Sequence, residues 1–88
     1  MANHVSADKR NRQRIVRTER NRAIRTRIRH ALKAARLAIA NGDAEAAKGP
    51  VQTASIAVAK GASKGVLHKK TAARTVSRIQ SQLAALSS

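Results

Sequence analysis

The segment Ile24-Arg25-Thr26-Arg27-Ile28-Arg29-His30-Ala31-Leu32-Lys33-Ala34-Ala35-Arg36-Leu37-Ala38-Ile39 carries two interleaved patterns. Ile24, Ile28, Ala31, Ala35 and Ala38 recur at intervals of three and four, flanked by Leu32 and Ile39. That spacing puts them on one side of an α-helix, as a single apolar stripe. Arg22, Arg25, Arg29, Lys33 and Arg36 step by the same intervals. At about 100° per residue they fall roughly opposite the stripe. The segment therefore predicts an amphipathic helix with one face to bury and a cationic back.

Upstream the apolar stripe stops. Between Ala7 and Arg22 the only larger apolar residues are the adjacent Ile15 and Val16, while Lys9, Arg10, Arg12, Arg14, Arg17, Arg20 and Arg22 point all round the axis. This half of the helix has no face to bury in its own protein, so it either frays when free or leaves the bundle to meet a partner. Ser6 is the expected N-cap, with Asp8 in the first turn. Gly42 ends the helix, giving a first element over about 7–40.

Downstream, Asp43 is the expected cap of a second helix over about 44–64. Ala47, Val51, Ala54, Val58 and Ala62 form its stripe, and Ile56 lies off it. Gly49-Pro50 interrupts the pattern, because Pro50 cannot donate to the Ala46 carbonyl. A kink near 49–50 is expected, or a short turn followed by a new helix with Pro50 in its first position. Gly65 is the preferred stop, with Val66 packing back over the last turn. A third helix, about 69–86, repeats Ala72, Val76, Ile79, Leu83 and Leu86. No window alternates as a strand does. Short connections make sequential helices antiparallel neighbours. The expected fold is all-α: one domain over 1–88, a three-helix bundle with a long N-terminal helix projecting beyond the bundle.

Composition narrows the function. The 88 residues hold 19 Lys and Arg against 4 Asp and Glu, a formal charge of +15. Such a chain repels itself and favours polyanions, nucleic acid first and anionic membrane second. It has no Cys, Trp, Tyr or Phe. That excludes disulfides, thiolate metal sites and RNA readers built on aromatic stacking. Of the apolar residues 19 are Ala and only 18 are Val, Ile, Leu or Met, so the core is thin. The first 14 residues carry no signal-peptide core, and no stretch is long enough to span a bilayer. The Arg-rich beginning is like a transit peptide, but Ser is scarce there and the basic bias continues to Arg78.

Catalysis finds no constellation. Asp43 and Glu45 are two apart and point to different sides of a helix. His4, His30 and His68 follow no metal-binding pattern, and no phosphate-cradling glycine loop is present. The cationic back differs from an ordinary solvated face in lacking acids: only Asp8 and Glu19 interrupt 12 basic residues. Lys64, Lys69, Lys70 and Arg74 surround a turn and a helix start, where backbone N–H groups and the helix dipole add to the attraction for phosphate.

That turn also carries a resemblance. Lys64-Gly65-Val66-Leu67-His68-Lys69, followed by Ala72-Ala73-Arg74, resembles the K-G-(V/I/L)-(I/L)-H-K-N-K-A-A-R motif of the family of bacterial small-subunit ribosomal proteins numbered twenty. Met1-Ala2-Asn3, Ser6-Ala7, Lys9-Arg10, Arg20-Asn21, Ala23, Arg25, Arg27 and Gly42-Asp43 are similar to the family pattern along the rest of the chain. The departures are Lys70 and Thr71 in place of Asn and Lys, Asp8 in place of Lys, and Gly49-Pro50 in place of ordinary helix formers. The resemblance implies a three-helix bundle with an extended first helix, buried in 16S ribosomal RNA. It implies direct binding early in assembly, low in the subunit body, to the 5′ domain and the long penultimate helix.

The two readings together predict a non-enzymatic constituent of the cytoplasmic ribosome, without cofactor, metal, membrane or small-molecule substrate, present as a monomer in the small subunit. The expected RNA-binding residues are Lys9, Arg10, Arg12, Arg14, Arg17, Arg20, Asn21, Arg22, Arg25, Arg27, Arg29, Lys33, Arg36, Lys64, His68, Lys69, Lys70, Arg74 and Arg78. The main alternative is a nucleoid-associated, histone-like protein that compacts DNA. A membrane-active cationic helix ranks third, because three separate stripes favour self-burial.

Overall fold

The structure, a computed structural model, describes residues 2–87, with side chains from Ser6 onward; Met1, the side chains of residues 2–5 (His4 among them) and Ser88 lie outside the described residues. Three helices follow one another: α1 (Ala2–Ala40), α2 (Ala44–Ser63) and α3 (Lys69–Ser87), with no strand among the described residues. The chain is thus all-α with a long first helix. Helix α2 is the middle element: α1 and α3 both pack on it, and α1 touches α3 only slightly. The molecule measures 67 × 21 × 13 Å, because α1 outruns the other two.

Helix α1 begins at Ala2, upstream of the expected cap, so Ser6 lies inside the helix. No Gly or Pro occurs in residues 2–22 to stop the helix from running back past Ser6. At its other end the Asn41 N–H donates to the Leu37 carbonyl at 3.1 Å and the Gly42 N–H to the Ile39 carbonyl at 3.0 Å. Gly42 adopts φ +83°, which a residue with a β-carbon rarely takes. Asp43 then caps α2: its Oδ1 accepts from the Glu45 N–H at 3.1 Å and the Ala46 N–H at 3.3 Å.

Helix α2 continues as one element through Gly49-Pro50, so no separate helix starts at Pro50. Two physical reasons account for its continuity. Gly49 has no β-carbon to crowd the proline ring, which relieves the usual penalty on a helical residue before proline. Ala47 and Val51, on either side of the pair, are both buried and in phase, so tertiary packing holds the helix across the missing hydrogen bond.

The end of α2 is a Schellman turn. The Val66 N–H reaches back to the Gly61 carbonyl at 2.9 Å and the Gly65 N–H to the Ala62 carbonyl at 3.0 Å, with Gly65 at φ +76°. Val66 is buried, as expected of the residue that closes such a turn.

The core has two connected parts. Ile24, Ile28, Val58, Val66 and Ala72 gather beneath the α2–α3 turn, with Leu67 and Val76 against them. Ala35, Val51, Ala54 and Ile79 gather further along, with Ile39 and Leu83 against them, and Leu32 touches both groups. Ala35, Ala47 and Ala54 are wholly buried: small side chains let the helices approach where larger ones would hold them apart. Among the described residues no polar side chain is buried. Ile56, off the α2 stripe, and Leu37 are exposed.

Candidate nucleic-acid interface

Every described residue from Ser6 to Arg20 is exposed, and Ile24 is the first buried side chain of α1. Residues 6–20 therefore form a helical arm that runs about 22 Å clear of the core, at a rise of about 1.5 Å per residue. Ile15 and Val16, 49% and 64% exposed, take no place in the core of the bundle.

Of the residues singled out in the sequence, all the lysines and arginines and His68 are exposed, and Asn21, at the root of the arm, is half-buried. They fall into three groups. Lys9, Arg10, Arg12, Arg14, Arg17 and Arg20 surround the arm. Arg22, Arg25, Arg29, Lys33 and Arg36 continue along the solvent side of α1 beside the core, with Arg27 on a separate flank. Lys64, His68 and Lys69 occupy the α2–α3 turn, from which Lys70, Arg74 and Arg78 lead off as a row at four-residue spacing on the outer side of α3.

The fold brings the third group towards the arm. Val66 and Leu67, inside the turn, pack with Ile24 and Ile28 of α1. The turn therefore lies beside the root of the arm, on the apolar side of α1, and brings cationic residues some 40 positions away in sequence close to that root. Lys60, which the sequence pattern leaves out, is exposed one helical turn before Lys64 and extends this group. Its position on α2 marks it only once the direction of that helix is known.

The cationic surface is not neutralised from within. Among the described residues, none of these lysines or arginines enters an ion pair, and the one side-chain hydrogen bond they make is from Arg14 Nη2 to Asn11 Oδ1, at 2.8 Å. Asp43 and Glu45 sit at the opposite end of the bundle, where Asp43 caps α2 and Glu45 pairs with Lys48 at 2.8 Å. Charge is thus graded along the molecule, from a cationic arm and turn to a nearly neutral far end.

His68 does more than contribute to this surface. Its Nδ1 accepts the Lys70 N–H at 3.1 Å and its carbonyl accepts the Ala72 N–H at 3.0 Å, which makes it the residue that opens α3. Among the described residues no group of three or more His, Cys, Asp or Glu could hold a metal ion, and no helix is long and apolar enough to cross a membrane.

A small, strongly cationic three-helix protein without Phe, Tyr or Trp and with a bare helical arm is the class that this fold and surface define. The chain belongs to the ribosomal protein S20 family, whose sequence pattern matches residues 2–84. It is 49% identical over 79 residues to small ribosomal subunit protein bS20 of Solidesulfovibrio magneticus, covering 90% of this chain and 89% of that protein. With the protein of the same name from Wolinella succinogenes it shares 49% over 87 residues, 99% of this chain and 96% of the relative. With that of Campylobacter lari it shares 52% over 79 residues, 90% of this chain and 91% of the relative. The family is one of structural ribosome constituents and not of enzymes.

Proposed function

We propose that this chain binds small-subunit (16S) ribosomal RNA directly and stabilises its folded form through arginine and lysine contacts to phosphate, as a single copy within the cytoplasmic particle. The observation that carries the proposal is the exposed cationic surface running from Lys9 to Arg36 along α1, which the chain's own acids leave unneutralised. The names of its relatives, all small ribosomal subunit proteins, point to the same partner.

The chemistry suits a folded RNA. Twelve of the 19 basic residues are Arg, whose planar, forked donors bridge phosphates of separate strands. An arm charged on every side relieves repulsion between several RNA helices at once, where a single cationic face serves only one. With no Phe, Tyr or Trp to build a base-stacking platform, recognition runs through shape and backbone. The α2–α3 turn adds a second cationic contact at the root of the arm.

A salt titration tests the reading. With about 8 phosphates engaged, log K falls with log salt at a slope of roughly −6 to −7, whereas a slope near −1 removes the mechanism. Competition between folded 16S RNA and duplex DNA separates it from DNA compaction: equal affinity for the duplex would favour the histone-like alternative. Retention of the chain on small ribosomal subunits through a high-salt wash is the corresponding test in the particle.

A further inference from the structure

The N-terminus of α3 is held by an unusual residue. Side chains that cap helices well are those of Ser, Thr, Asp and Asn. Here the capping place is taken by His68, whose ring Nδ1 receives the Lys70 N–H at 3.1 Å. The backbone delivers the ring to that place: the Schellman turn over Gly61–Val66 sets the chain direction, and Val66, Leu67 and Ala72 anchor both sides of His68 in the core beside Ile24 and Ile28.

The surroundings give this choice a reason. His68 stands among the exposed Lys64, Lys69 and Lys70. A carboxylate would cap the helix more strongly, but it would also place an anion at the centre of the cationic surface. A neutral imidazole accepts the backbone N–H and leaves that field intact. When Nδ1 accepts, the ring proton resides on Nε2.

We infer that His68 is a positioning residue of the RNA interface: its ring caps α3 through Nδ1 and thereby holds the Lys70–Arg74–Arg78 row in a fixed orientation on the outer side of α3. This inference rests on the RNA-binding reading above. The first turn of α3 has its own orphan N–H groups, and Lys69 and Lys70 lie within it. Without the cap that turn frays, and the two lysines and the start of the row lose their common direction. His68 therefore acts through the helix that it caps, and not through a contact of its own with the RNA.

The test combines a spectroscopic signature with rescue. In the free, full-length protein at about pH 8, the ring nitrogens of 15N-labelled His68 report a protonated Nε2 and a bare Nδ1; the opposite tautomer overturns the cap. His68→Ala speeds exchange of the Lys70 amide about tenfold and weakens binding to a 16S RNA transcript about three- to tenfold, the range expected from the loss of one cap. His68→Asn, which caps without an imidazole, brings both back to within about twofold of the parent. Weak binding by His68→Asn with a slow Lys70 amide would mean that the ring itself touches RNA, and would overturn the positioning role. An unchanged Lys70 amide in His68→Ala would overturn it too. Failure of the parent chain to bind the transcript, with tautomer and exchange as expected, would instead remove the RNA-binding reading on which the role depends.

Discussion

A β-carbon placed on Gly61 would lie 2.6 Å from Cδ1 of Ile28, so the two residues share one volume between α1 and α2. Gly61 is buried, with Leu67 closing the other side of the gap at 3.6 Å. Its carbonyl also accepts from Val66 at 2.9 Å and Leu67 at 3.3 Å, so the same glycine receives the helix α1 and starts the turn that follows α2.

Gly61→Ala therefore lowers stability, and the loss depends on Ile28. Overpacking costs about 1–3 kcal/mol, against a gain of about 0.5–1 kcal/mol for alanine in a helix. A net loss of about 1 kcal/mol is expected in urea unfolding. Ile28→Val removes the clashing methyl group, so the double variant is more stable than the sum of the two single changes predicts. Simple additivity would show that the two residues do not share this space.

Pro50→Ala restores an N–H donor for the Ala46 carbonyl within an unbroken helix. The expected gain is about 1–3 kcal/mol, measurable as a raised thermal midpoint, because proline in a helix interior costs about 3 kcal/mol. Gly49→Ala alone gives no comparable gain even though its β-carbon would meet nothing within 4 Å, since Pro50 disfavours the helical conformation of a non-glycine neighbour.

Amides of residues 7–22 exchange rapidly in the free protein and become protected when RNA binds. The arm is helical here, but its residues from Ser6 to Arg20 are all exposed and take no place in the core. An isolated helix of this length is marginal in water, more so with a row of like charges. Hydrogen exchange with and without 16S RNA checks this, and slow exchange in the free chain would contradict it.

Replacement of Arg25, Arg29 and Arg36 together by Gln weakens RNA binding and leaves helicity unchanged. All three are exposed and lie outside the core. Every phosphate no longer neutralised makes the salt slope shallower by about 0.7–0.9, so a change of about 2–3 is expected in a titration. Loss of the helical circular dichroism signal would instead make these residues structural.

The stripes that pack the bundle were legible in the sequence because a helix converts spacing into direction. Ile24, Ile28 and Ala35 on α1, Val51, Ala54 and Val58 on α2, and Ala72 and Ile79 on α3 are buried as their intervals require. Gly42, Asp43, Gly65 and Val66 act at the turns as their local chemistry predicts. The sequence misleads where a local rule meets a tertiary contact. Gly61 has no side chain to join an apolar stripe, and in the fold it, not only Ala62, continues the buried side of α2. Gly49-Pro50 leaves a kink or a break open in the sequence, and packing of Ala47 and Val51 carries the helix through. His68 reads in the sequence as one of the RNA-binding residues, and only the direction of the chain leaving the turn makes it a cap.

By itself the sequence determined that the chain is helical, that it forms three elements, and that its surface carries a charge that its own acids cannot balance. These follow from periodicity and composition, which depend only on near neighbours along the chain. Only the tertiary structure decided that α2 is the central helix, that the α2–α3 turn lies beside the root of the arm, and that Gly61 makes room for Ile28. Those relations join residues some 30 to 50 positions apart, and they are set by how side-chain volumes fill the space between helices.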